Sequence, residues 1–227
     1  MNTQCGAIQM NKLILVIGNK NYSSWSLRPW LLMKEFNIEF NEMRVALYTD
    51  DTTEKLSLYQ SDHKVPILLD GDLQIWDSLA ILEYVSEKYA QSNAWPADSD
   101  ARAVARSISA EMHSGFMHIR NDMPMNCRAA YSHIKISSAV TTEIKRIESI
   151  WQTCRSKYAN QGQWLFGQYS IADAMFAPIV LRFNSYGVKL KGLAQQYMTN
   201  VLQQPHIIQW IKDGIKEKEI IAAGEIE

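Results

Sequence analysis

Strand-like runs are confined to the first third of this chain, and that constrains its fold more than any other feature. Lys12–Ile17 (KLILVI) is a short β-rich apolar run closed by Gly18, the pattern of a buried strand. Leu27, Trp30 and Leu31 then fall at helical spacing, with Pro29 placed in the first turn, where a missing N–H costs little. Phe40–Val45 reads as a second strand and residues 49–60 as a short polar helix. Val65–Leu69 and Leu73–Trp76 are strands separated by Asp70-Gly71, a hairpin signal. A third helix runs from Asp77 to about Tyr89, burying Ile81, Leu82, Val85 and Tyr89. The order β-α-β-α-β-β-α is complete within about 80 residues.

Beyond the breakers of Gln91–Asp98 every pattern is helical. Val104, Ile108, Met112, Phe116 and Ile119 form one stripe of a long helix stopped by Pro124. Ile136, Val140, Ile144, Ile147, Trp151, Cys154 and Tyr158 form a second, and Ser170-x-x-Asp173 is a capping-box-like start for a third helix. Further helical pieces fall near 190–203 and 206–220. The fold class expected is α+β, with an α/β domain over 11–91 followed by an all-α domain over 99–227. Residues 1–10 read as a polar leader, with Met10 an alternative start.

Composition excludes several function classes. The net charge of -1, with no polybasic run, argues against nucleic acid and acidic membranes as partners. No apolar run approaches the ~20 residues of a membrane span, and Leu13–Ile17 is too short for a signal peptide core. Cys5, Cys127 and Cys154 are scattered and form no C-x-x-C pair, which fits a reducing, cytoplasmic setting. A metal site at His113 and His118 would want more partners at i+3 or i+4, and Glu111 lies too close in sequence to share a face, so no metal site is expected.

Three local features carry chemistry. Val65-Pro66 leads into a strand; alone it reads as a trans proline at a sheet edge, whereas a cis bond would turn the backbone of Val65 toward an extended peptide. Asp77-Ser78 starts a helix and alone reads as a cap. The same geometry offers backbone N–H groups and the Ser78 hydroxyl to a ligand carboxylate, and Asp77 to an ammonium group. Tyr22-Ser23-Ser24-Trp25-Ser26-Leu27-Arg28 places hydroxyls where strand gives way to helix. A hydroxyl donor at a helix N-terminus stabilises a thiolate.

In this order, the serine-bearing loop, V-P-I-L-L, D-S-L-A-I-L-E-Y and a helical domain resemble the glutathione S-transferase family from about residue 11 onward. The serine-type, zeta-like group is the nearest flavour, since its S-S-x-S-x-R motif matches Ser23, Ser24, Ser26 and Arg28. The resemblance implies a thioredoxin-like N-terminal domain, a helical-bundle C-terminal domain and glutathione as co-substrate. It implies Ser23 as the thiol-activating residue, with Ser24 and Tyr22 as alternatives. Val65 would hold the cysteinyl backbone, Asp77 and Ser78 the γ-glutamyl group, and Lys64 the glycyl side. His113, Phe116 and Arg120 would line the pocket for a small electrophile. A substrate-binding arginine of maleylacetoacetate-isomerising members corresponds to Ser185, with Arg182 one turn earlier. The expected activity is conjugation of glutathione to small hydrophobic electrophiles. Isomerisation, peroxide reduction and a non-catalytic interaction role are the alternatives. The family also implies a homodimer.

Overall fold

The computed structural model describes residues 13–91 and 93–226, so the polar leader, Met10, Cys5 and Lys12 lie outside the described residues. Strands β1 (Leu13–Ile17), β2 (Phe40–Arg44), β3 (Ile67–Asp70) and β4 (Leu73–Trp76) form one sheet in the order β2-β1-β3-β4. β1 pairs parallel with β2 and antiparallel with β3, and β3 pairs antiparallel with β4. Helices α1 (Ser24–Glu35), α2 (Thr52–Leu56) and α3 (Ser78–Lys88) complete this unit. The β-α-β-α-β-β-α order with its parallel β1–β2 pair is a thioredoxin-like arrangement.

Side chains alternate across a strand, and β1 shows the consequence. Leu13, Leu15 and Ile17 join the main core with α1 and α3, while Val16 packs with Val45, Leu56 and Ile67 on the opposite face. The Asp70-Gly71 signal is a tight hairpin in which Asp70 pairs with Leu73 and Gly71 adopts φ 61°. β3 begins at Ile67, two residues after the expected start.

Six helices follow: α4 (Ser99–Ser114), α5 (Met117–Asp122), α6 (Ser138–Tyr158), α7 (Ile171–Ser185), α8 (Gly192–Gln203) and α9 (Pro205–Lys216). α7 is buried along almost its whole length and packs against α1 and α4. Its start is the expected box: the Asp173 carboxylate accepts from Ser170 N at 2.9 Å, Ser170 Oγ at 3.0 Å and Leu165 N at 3.0 Å.

Two expectations are corrected. α1 starts at Ser24, so Pro29 lies inside the helix rather than in its first turn. The long helix of the first stripe is two helices: α4 ends at Ser114, and Phe116 takes a left-handed conformation (φ 59°) before α5. The buried face of α4 is Ala101, Ala105, Ile108, Ser109 and Met112, whereas Val104 is exposed. Apolar spacing alone does not register the small alanines that let α4 approach α7.

Candidate active site

The turn between β1 and α1 places three hydroxyls. Ser23 is the N-cap of α1, and its Oγ accepts the Ser26 N–H at 3.4 Å. The Ser23 hydroxyl donates to Ser26 Oγ at 2.7 Å, and the Gly18 N–H donates to the same oxygen at 3.1 Å. A Cβ at Gly18 would lie 2.5 Å from Leu47 Cδ1 and 3.2 Å from Ser23 Cβ, so a larger residue there must displace the Leu47 side chain. Ser24 Oγ accepts from Arg182 Nη2 at 3.2 Å, linking the first turn of α1 to α7. Tyr22 lines the same cleft as Ser23 and Ser24, but its hydroxyl is engaged elsewhere. Its hydroxyl donates to Glu225 and accepts from Arg128 Nη2 at 2.6 Å, and burial together with Glu225 raises its pKa.

Val65-Pro66 is a cis peptide. Among the described residues neither the N–H nor the C=O of Val65 has a backbone hydrogen-bond partner. Asp77 has φ 72° and ψ 130°, a sparsely populated conformation for a non-glycine residue that costs about 1–3 kcal/mol. Its Oδ1 caps α3 by accepting Leu79 N at 2.9 Å and Ala80 N at 3.2 Å, and its Oδ2 lies 3.1 Å from His113 Nε2. Ser78 is buried, and its Oγ accepts Arg28 Nη1 at 3.3 Å. A cleft of about 530 Å3 lies over this corner, walled by Trp25, Lys64, Val65, Trp76, Asp77 and Ser78. Lys64 is exposed at its rim and pairs with Asp62 at 3.0 Å.

Trp25, Lys64 and Val65 also wall a second cleft of about 520 Å3, which contains Ser23, Ser24, Arg120, Met125, Arg182 and, from the C-terminal segment, Ile221, Ala223 and Gly224. Trp25 is the partition between the two. The guanidinium carbons of Arg28 and Arg120 sit 4.2 Å and 4.7 Å from its ring centroid, and His113 meets it edge-on at 5.4 Å. Arg120 is held by the carbonyls of Met112 and Gly115 at the break between α4 and α5. Arg182 donates to Met123 O at 2.9 Å. Among the described residues lining the second cleft there is no carboxylate, while Lys64, Arg120 and Arg182 all line it. Burial and the neighbouring Arg120 charge lower Arg182 to about 10, and burial followed by Arg120 and Arg182 pushes Arg28 well below its usual value.

The structure thus gathers Ser23, Ser24, Lys64, Val65, Asp77, Ser78 and Arg120 around two adjoining clefts. His113 lies beside Asp77 rather than on the wall of the second cleft. Phe116 is not brought to the site: it is 7% exposed and packed in the core, because the left-handed turn at the helix break points it inward. Ser185 is likewise turned away, its Oγ donating to Asn126 O at 3.0 Å. Sequence reading named neither Trp25 nor Arg182 as a site residue. A signal existed for Arg182, the lone cation within the apolar run Ile171–Phe183. Among the described residues no group of three or more His, Cys, Asp or Glu side chains is placed to hold a metal ion. No helix among them is long and apolar enough to cross a membrane.

Residues 22–88, which carry Ser23, Val65, Asp77 and Ser78, match the family model for the glutathione S-transferase N-terminal domain. That segment is a glutathione S-transferase N-terminal domain. The chain is 48% identical over 65 residues to a dichloromethane dehalogenase of Methylophilus leisingeri, a match spanning 28% of the chain but only 24% of that protein. It is 26% identical over 187 residues to maleylacetoacetate isomerase of Rattus norvegicus, covering 81% of the chain and 83% of the relative. The fold is similar to that of a glutathione transferase homolog from Burkholderia, solved with bound glutathione. That match has a TM-score of 0.67 at 21% identity and covers 92% of this chain and 100% of the other.

Proposed function

We propose that this chain is a glutathione-dependent transferase that uses Ser23 to hold the glutathione sulfur as a thiolate. The observation that supports this reading is that two adjoining clefts share Trp25, Lys64 and Val65 as walls, with Asp77 and Ser78 lining one and Ser23 the other. An extended tripeptide suits that layout. Asp77 meets the γ-glutamyl ammonium, and the Ser78 hydroxyl at the α3 N-terminus meets its carboxylate. The free N–H and C=O of Val65 pair with the cysteinyl main chain, as an added strand would. Lys64 faces the glycyl carboxylate, and the sulfur falls to Ser23. Glutathione thus rests on residues within 11–91, and the electrophile is received mainly by residues within 99–227.

The leading reaction is attack of the thiolate on a small electrophile. Conjugation of an aromatic halide, measured in wild type and in Ser23→Ala, tests it. A hydrogen bond to a charged group contributes about 1.5–3 kcal/mol, so turnover of the variant should fall roughly ten- to a hundredfold. Unchanged turnover removes Ser23 from the role. Absence of any heat of glutathione binding at millimolar concentration would instead favour a non-catalytic interaction protein.

A second reading is supported by the charge of the second cleft. Arg120 and Arg182 on a wall without carboxylates suit an electrophile that is itself an acid, and the relatives include a maleylacetoacetate isomerase. In an isomerase the thiolate adds to the substrate and leaves again, so glutathione is recovered unchanged. Product analysis separates the three chemistries, because conjugation consumes glutathione as thioether and peroxide reduction consumes it as disulfide.

A further inference from the structure

Ser26 belongs to neither cleft and is completely buried, yet among the described residues its hydroxyl is the one side-chain group hydrogen-bonded to the hydroxyl of Ser23. We infer that Ser26 is a positioning residue for the thiolate: it completes a donor chain that begins at the Gly18 N–H and ends on the glutathione sulfur. The inference rests on the reading that Ser23 faces that sulfur, and it assigns a role to a side chain that never touches the ligand.

Each hydroxyl has one proton to give and two lone pairs. Ser26 Oγ lies 3.1 Å from the Gly18 nitrogen, whose N–H it accepts, and 2.7 Å from Ser23 Oγ. Without a ligand, Ser23 gives its proton to Ser26, and no proton points from Ser23 into the cleft. A thiolate in that cleft accepts and cannot donate, so it binds well only if Ser23 turns its proton outward. Ser23 Oγ then needs a donor behind it, and Ser26 supplies one by rotating its own hydroxyl proton, with no heavy atom moving. The chain becomes Gly18 N–H to Ser26 Oγ, Ser26 O–H to Ser23 Oγ, and Ser23 O–H to sulfur. Every link points the same way, and aligned hydrogen bonds polarise one another. The Ser26 N–H, 3.4 Å from Ser23 Oγ, adds a second donor from the first turn of α1. Together they hold the Ser23 oxygen in place and make its proton a better donor to an anion.

A purely structural role, bracing the Gly18 turn, affects stability without altering the ionisation of bound glutathione. The test is therefore a pH titration of the thiolate absorbance of the glutathione complex in the ultraviolet. It is run on wild type, Ser26→Ala, Ser26→Thr and Ser23→Ala, with thermal denaturation in parallel. Ser26→Ala should raise the midpoint by about half to one pH unit, the size of one net hydrogen bond. Below that midpoint, turnover of an aromatic halide should fall roughly three- to tenfold while the KM for glutathione stays unchanged. Ser26→Thr, which keeps the hydroxyl, should restore the wild-type midpoint. If Ser26→Ala does not fold, Ser26→Cys carries the measurement, with a smaller shift in the same direction because a thiol is a weak donor. A wild-type midpoint in Ser26→Ala or Ser26→Cys, with a raised midpoint in Ser23→Ala, overturns the donor chain and leaves the role of Ser23 intact. A wild-type midpoint in Ser23→Ala overturns the functional reading itself.

Discussion

Tyr22 and Ser23 are adjacent in sequence, and either side chain type is able to donate to a thiolate, but the structure gives them different work. The Tyr22 hydroxyl is saturated by Glu225 and Arg128, and its raised pKa reflects burial and that carboxylate. Gly224 packs on its ring so closely that a Cβ there would lie 2.4 Å from Cδ1. Tyr22 therefore anchors the C-terminal segment. Tyr22→Phe should leave the ionisation of bound glutathione unchanged while lowering stability by about 1.5–3 kcal/mol, the contribution of a hydrogen bond to a charged partner. Denaturant titration beside the thiolate titration checks both halves. At this scale the gathering of Ser23, Val65, Asp77 and Ser78 at adjoining clefts was legible, because they lie in short motifs whose local geometry the motif itself dictates. Arg182 was not, since its bond to Ser24 spans 158 positions and depends on how α7 packs on α1. Phe116 stood in the apolar stripe and was also named for the pocket wall; at the left-handed break it packs in the core, as the stripe alone implies.

Elements were readable where caps and punctuation agree with periodicity. The Ser170–Asp173 box is the clearest case, and it has a consequence for pH. Burial raises the Asp173 carboxyl to about 6 although three donors face it. The unfolded value is about 3.9, so the folded state binds the proton more tightly. The stabilisation from this group is complete below about pH 4, falls as pH rises through 6, and is constant above. Its size is about 1.4 kcal/mol for each unit separating the two values. Denaturant midpoints of wild type and Asp173→Asn measured between pH 4 and 7 should differ in slope over that window, the variant being flatter. Parallel curves would show that Asp173 does not titrate there. The break between α4 and α5 was less legible. Gly115 is a weak stop when apolar residues keep helical spacing on both sides, and Arg120 holds the break only through carbonyls exposed once the helix has ended.

For the molecule as a whole, the division into an α/β part and a helical part follows from where strand-like runs stop. Its association follows from neither part alone. Leu73 and Trp76 on the edge strand β4 and Val104 on α4 are large apolar side chains 44–48% exposed. We expect a homodimer that covers them, small domain against large. Sedimentation should give twice the chain mass of 26.0 kDa. A monomer mass would refute the pairing, and Trp76→Glu should shift a dimer toward monomer by burying an unpaired charge at the contact.

α1 has α3, α7 and α9 packed around it, and its first turn carries Ser23, Ser24 and Trp25. The serine turn is therefore also the seam of the molecule, joined to the helical part by the bond between Arg182 and Ser24 and, just before it, by the bonds of Asn21 to Asn126, Cys127 and Arg128. Any loosening of the helical part against the sheet reaches Ser24 directly, while the strands and the buried face of α7 still hold. Gentle warming should silence such an enzyme before it melts, which makes activity the more sensitive thermometer of the two.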